Sequence, residues 1–188
     1  MLPCEHGALY SFKVASTEDE FVQIHRLNYR TFVEEIPQHP PSPERRLVDV
    51  FHAENTYLLC LRQNLLIGMA AVRDKRPFSL DRKLPDLDSY LPTGHRLCEM
   101  RLLAIEPAYR KRPIFYGLIG CVARYCEQQG YTLAVLSGTV RQRKLYRHLG
   151  CVPFGPLVGT PAASYQPMYL TREAFQKSSR LWRQNESR

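Results

Sequence analysis

The chain has 188 residues, 44% hydrophobic and 23% charged, a balance that suits one globular domain with a buried core. No apolar run approaches the ~20 residues that a helical membrane span needs, which excludes that class. The net charge is +8, which calls for an anionic partner.

The opening Met1-Leu2-Pro3-Cys4-Glu5-His6 lacks the basic and apolar regions of a signal peptide, so the cytoplasm is the expected compartment. Residues 8–14 alternate weakly and predict an edge strand. From Thr17 to Glu34 the pattern is helical. Phe21, Ile24, Leu27, Asn28 and Phe32 fall near one face, and Thr17 with Glu20 forms a capping box. This helix should end before Pro37. Pro40, Pro41 and Pro43 keep 38–44 irregular, a surface loop suited to a lid. Residues 55–62 and 65–73 predict two apolar strands joined by Gln63-Asn64, a two-residue hairpin. Residues 77–92 are punctuated by proline. Their leucines at 80, 84, 87 and 91 suggest a short helix or two, either packing a connection or adding to a substrate pocket.

Leu102 to Ile105 is a short apolar run closed by Glu106-Pro107, a buried strand ending in a turn. Arg110, Lys111 and Arg112 follow, and Pro113 suits the first turn of a helix. Phe115, Leu118, Ile119, Val122, Ala123 and Cys126 make one helical face, and Gly130 supplies the stop. Residues 132–136 predict a second buried strand. Strand, helix and strand make a βαβ unit, so these two strands should be parallel. Val140 to Leu149 predicts a helix carrying Tyr146 and ending at Gly150. Residues 152–158 and 166–170 should be the closing strands. One domain over 1–175, then a basic tail or surface helix over 176–188, is the expected organisation.

Cysteines at 4, 60, 98, 121, 126 and 151 include no C-x-x-C pair, which speaks against a zinc site. They read as reduced, mostly buried thiols, and no metal is expected. Between 101 and 150, nine Lys and Arg face two Glu, so this segment alone carries +7. Cations at a helix N-terminus suit a phosphate. The anionic partner could be a phosphorylated cofactor, an acidic protein or nucleic acid. No RNA-binding or helix-turn-helix motif accompanies the charge, which ranks nucleic acid third.

Ile105-Glu106-Pro107-Ala108-Tyr109-Arg110-Lys111-Arg112 resembles the acyl-CoA-binding core of the GNAT acyltransferase superfamily. Lys144-Leu145-Tyr146-Arg147-His148-Leu149-Gly150-Cys151 resembles that superfamily's L-Y-x-x-x-G-F segment. Leu27 to Glu35 is similar to the opening of two of its branches, the acyl-homoserine-lactone synthases and the long-chain N-acyl amino acid synthases. The resemblance implies a GNAT fold, α+β in class: a twisted, mostly antiparallel sheet with a central splayed parallel pair, flanked by helices. It implies transfer of an acyl group, fatty in the nearest branches, from acyl-CoA or the acyl-phosphopantetheine of a carrier protein. The acceptor would be the amine of an amino acid or similar small molecule.

By the same resemblance, Glu99 is the general base and Tyr146 the general acid. Backbone at Leu103, Ala104 and Ile105 would hold the pantetheine arm, with Arg110, Lys111, Arg112 and Ile114 at the phosphate. Arg30, Phe32, Glu34, Asp49 and Arg101 would contact substrate. The alternative for Glu99 is an exposed strand-end carboxylate paired with Arg101, and for Asp49 a solvated loop carboxylate.

Two departures qualify the resemblance. Pro113 and Phe115 stand where the superfamily's phosphate-loop glycines would be, which removes one N–H donor and blocks close backbone approach. That favours a carrier-protein phosphodiester over a CoA pyrophosphate. The related synthases usually carry an arginine where this chain has Leu102, and Arg101 stands one place earlier, which favours a plain N-acyl transferase over a lactone synthase. An acetyl-CoA-dependent N-acetyltransferase and a non-catalytic carrier-binding module are the alternatives.

Overall fold

The computed structural model describes residues 4–6, 9–110, 112–161 and 163–186. The described strands and helices are, in order, β1 (Cys4–His6), β2 (Tyr10–Val14), α1 (Glu18–Tyr29), β3 (Thr56–Arg62), β4 (Leu65–Arg73), β5 (Leu97–Ile105), α2 (Arg112–Gln128), β6 (Leu133–Thr139), α3 (Arg143–His148), β7 (Val152–Pro153), β8 (Val158–Thr160), β9 (Ala163–Thr171) and α4 (Arg172–Glu186). The fold is mixed αβ, mostly antiparallel with one parallel pair among the described strands. Contacts divide the chain into two compact units, Met1–Arg73 with Met100–Tyr125, and Asp74–Glu99 with Cys126–Arg188.

In the first unit the strands run in the order β1-β2-β3-β4, with the later part of β5 beside β4. Strand β2 pairs with both β1 and β3, so it is not the edge that its weak alternation suggested. Gln63 and Asn64 both take positive φ, the two-residue turn expected between β3 and β4. At Gly68 on β4 an added Cβ would come within 3.2 Å of Ile105 and 3.7 Å of Leu118, so the missing side chain lets α2 and β5 pack closely. Ile24 and Leu27 of α1 join Tyr57, Leu59, Met69, Ala71 and Ala104 in a buried cluster, with Phe21, Phe32 and Leu102 against it. Burial of this face supplies most of the helix's stability in place.

Helix α1 begins as its sequence dictates. Thr17 Oγ1 accepts from the Glu20 amide at 3.3 Å, and Glu20 accepts from the amides of Ser16 and Thr17 at 2.7 and 3.1 Å. Thr17→Ala leaves the Glu20 amide without its cap and is expected to lower stability by about 1 kcal/mol. A urea midpoint identical to that of the parent would contradict this. The expected long helix changes pitch at its end: Arg30–Glu35 is a π-helical stretch that widens the turn before Pro37.

In the second unit β6 pairs antiparallel with β9, which also holds β7 and β8. The strand expected over 152–158 is instead two short pieces, because Gly155 adopts positive φ and turns the chain between them. The leucines at 80, 84, 87 and 91 are all buried, and only a short 3₁₀ turn at Leu87–Tyr90 is regular in that segment. The polar C-terminal stretch is helical, over Arg172–Glu186. Strands β5 and β6 are parallel, in register at Leu97↔Leu133, Cys98↔Ala134 and Glu99↔Val135. The described ladder stops there, although β5 continues to Ile105 and β6 to Thr139.

Candidate active site

Glu99 occupies the last paired position of that parallel ladder. It is 1% exposed, so the exposed strand-end carboxylate is excluded. Ser79 meets it with two donors. The Ser79 amide lies 2.9 and 3.0 Å from the two carboxylate oxygens, and the hydroxyl donates to Oε1. A buried carboxylate needs such donors, since its desolvation would otherwise cost several kcal/mol.

Two residues on, Arg101 turns to a different partner. Its guanidinium clamps Asp49 with two parallel bonds of 2.7 and 3.0 Å. Leu102 takes φ +52°, a left-handed residue inside a strand, which interrupts the regular alternation of faces beyond Arg101. Arg101 also lies 4.7 Å from the centre of the Phe51 ring, which carries Arg73 at 3.8 Å as well. Arg73, 3% exposed, binds Glu54 through Nε at 2.6 Å.

The Asp49 side chain, 10% exposed, is therefore largely shielded rather than solvated. Burial alone would raise its pKa, but Arg101, the Phe51 amide and the Asn55 side chain together hold it below the ordinary value. Asn55 also donates to the Tyr57 hydroxyl at 3.1 Å, and His52 sits 3.1 Å from the same oxygen.

Arg110 and Arg30 are paired too. Arg110 forms a two-pronged pair with Glu35 and donates from Nε to the Ile105 carbonyl at 2.9 Å. Arg30 pairs with Glu106, and Glu34 with Arg45 of the proline loop. The π-helical stretch thus supplies Arg30, Glu34 and Glu35 to three ion pairs. Phe32 is partly buried against the α1 cluster. Leu103 is partly buried, whereas Ala104, Ile105 and Ile114 are buried, so those three can offer a ligand little beyond backbone. The Glu106 amide bonds the Ile67 carbonyl at 2.9 Å, which spends that donor on β4. Lys111 and the side chain of Arg112 lie outside the described residues.

Tyr146 sits on α3 with its ring on Gly138 of β6, where an added Cβ would come within 2.4 Å of it. Burial, with Cys151 and Tyr165 nearby, pushes its phenol up to about 12, so it holds its proton throughout the physiological range. Glu99 and Tyr146 are both tied to β6, Glu99 through its pairing with Val135 and Tyr146 through its ring against Gly138. Val135 and Gly138 stand three residues apart, ~10 Å along a strand. Arg141, Arg143, Lys144 and Arg147 are exposed on and before α3. Among the described residues no group of three or more His, Cys, Asp and Glu is arranged to hold a metal ion, and no helix is long and apolar enough to cross a membrane.

Sequence reading did not find Ser79, Glu35 or the Arg73–Glu54 pair. Glu35 stood beside Glu34 in the same motif. Ser79 carries no local signal, because its partner is 20 residues away.

A mostly antiparallel sheet with one short parallel pair, flanked by helices, is the fold of GNAT-type acyltransferases, and solved structures share it. A CoA-dependent acyl-homoserine lactone synthase, BjaI, solved with SAM and isopentyl-CoA, aligns at TM-score 0.74 and 20% identity over 92% of this chain and 88% of its own. The lactone synthase LasI aligns at TM-score 0.73 and 17% identity, covering 88% and 91%. FeeM, an N-acyl amino acid synthase from uncultured soil microbes, aligns at TM-score 0.67 and 14% identity, covering 94% and 96%. No curated protein matches the chain significantly in sequence. The family model described as N-acyl amino acid synthase FeeM matches residues 23–173, and the chain belongs to that family. It is an acyltransferase that moves an acyl group from a thioester to an amine.

Proposed function

We propose that this protein transfers a fatty acyl group from an acyl carrier protein to the α-amine of an amino acid, with Glu99 as general base and Tyr146 as general acid. The observation that carries the reading is the buried Glu99 carboxylate, seated by Ser79 at the point where the described β5–β6 ladder ends. A carboxylate there takes a proton from the amine nitrogen as its lone pair attacks the thioester carbonyl. The C–N bond forms, the C–S bond breaks, and the sulfur leaves as thiolate. Tyr146, still protonated, donates to that sulfur, and the products are an amide and a free thiol.

The donor class follows from charge. Four exposed cations on and before α3 suit an acidic protein surface better than a small cofactor. In the loop after β5, Arg110 already holds Glu35. A cytoplasmic setting, where carrier-bound acyl groups are made, fits this reading.

The test offers acyl carrier protein and acyl-CoA of equal chain length in parallel, with a mixture of amino acids as acceptors. Mass spectrometry of the products should show N-acyl amino acids, formed faster from the carrier. Arg143→Glu with Arg147→Glu should raise KM for the acyl carrier protein on the order of tenfold at low salt and leave acyl-CoA unchanged. Equal effects on both donors would refute the docking role, and a product from acyl-CoA alone would refute the carrier.

A further inference from the structure

We propose that Ser79 is a positioning residue for the reaction: its amide and hydroxyl lock the Glu99 carboxylate in the orientation that receives the amine proton. The inference rests on Glu99 being the base.

The terminal torsion of a glutamate side chain is broad, because rotation about its last sp³–sp² bond meets no sharp wells. Burial by itself does not fix it. At Glu99 one residue, Ser79, brings two donors to bear on that rotation. The Ser79 amide bridges both oxygens almost equally, at 2.9 and 3.0 Å, and the hydroxyl adds a bond to Oε1 only. The amide sets the plane of the carboxylate, and the hydroxyl makes its two oxygens inequivalent.

Ser79 can act this way because it is itself held. Its neighbours Phe78 and Leu80 are both 0% exposed, so the backbone between them is pinned on either side. Asp81 accepts from the Phe78 amide at 2.5 Å, and its own amide returns to the Phe78 carbonyl at 3.1 Å. Arg76 then grips Asp81 at 2.7 Å and Asp88 at 3.0 and 3.2 Å. The segment that reads from sequence as a proline-punctuated connection is thus a braced platform under the carboxylate. A misplacement of ~1 Å at a reacting group can cost 10²-fold in rate, so an oxygen free to swing loses turnover without any loss of substrate binding.

The experiment compares Ser79→Ala, Ser79→Gly and Ser79→Thr in the full chain, each also combined with Glu99→Gln. The Ala and Gly variants keep the amide and lose the hydroxyl. Both should lose about tenfold or more in kcat, with KM for donor and acceptor unchanged, while Thr restores most of the rate. Added to Glu99→Gln, the Ser79 changes should cost nothing further, since the group they aim is already gone. Full kcat in both Ala and Gly variants overturns the proposal. So does a loss of the same size in the Glu99→Gln background, or an intact mass raised by one acyl group on Ser79, which would make it a nucleophile. Failure of the base assignment reads differently: Glu99→Gln itself would then keep its turnover.

Discussion

Glu99→Gln is expected to release free thiol at least ~10²-fold more slowly than the parent protein, with little change in KM. The substitution is close to isosteric. Its amide oxygen can still accept from the Ser79 amide and hydroxyl, so the platform under it should survive. What it loses is the capacity to take a proton from the attacking amine. An amine that cannot shed its proton produces a charged tetrahedral species that falls back to thioester. Thiol release should be followed with a thiol-reactive dye and amide formation by mass. Turnover within twofold of the parent would remove Glu99 from the mechanism, and the functional reading would need another base.

Asp49→Ala should produce the largest stability change, because it takes a two-bond carboxylate partner from a largely buried guanidinium. The Asp49 and Arg101 side chains are only 10% and 12% exposed. Removing one partner of such a buried pair costs ~3–5 kcal/mol, mostly as desolvation of the survivor. Asp49→Ala combined with Arg101→Met should recover much of that loss, since the guanidinium that lost its carboxylate is then also removed. Urea midpoints of the three variants and the parent measure this. If the double variant is as unstable as the single, the cost does not come from the guanidinium that lost Asp49.

The same pair carries a pH signature. Asp49 binds its proton less readily folded than unfolded, so the stabilisation is complete above the ordinary aspartate value of 3.8 and fades as pH falls through the lower folded value. The stability gap between the parent and Asp49→Ala should therefore narrow below about pH 4. A gap that stays constant to pH 2 would show that the pair is not the source.

The paired state of the cations also bears on donor binding. Arg110, the residue that best matches the superfamily's phosphate arginine, is engaged by Glu35. A phosphate that uses Arg110 must compete with that carboxylate. This competition fits a donor whose affinity comes chiefly from a protein surface, with the phosphodiester as a minor contact.

What the amino-acid order determined by itself was local. Thr17 and Glu20 lie three apart and cap α1 without outside help. Gln63 and Asn64 both tolerate positive φ and make the hairpin. Apolar spacing in 113–128 makes a helix with one buried face between two strands, which forces the strands parallel. These features depend on neighbours within a few residues, so pattern and propensity suffice to find them. Short motifs around Tyr109 and Tyr146 were legible for the same reason and carried the family.

Tertiary structure alone decided which charges meet. Arg101 could pair with Glu99 by proximity in sequence, yet it is bound to Asp49, 52 residues away. Glu99 is buried against Ser79 because the 76–88 segment is braced by Arg76, Asp81 and Asp88. The energy of a buried ion pair depends on burial and distance, and neither quantity has a period in the sequence.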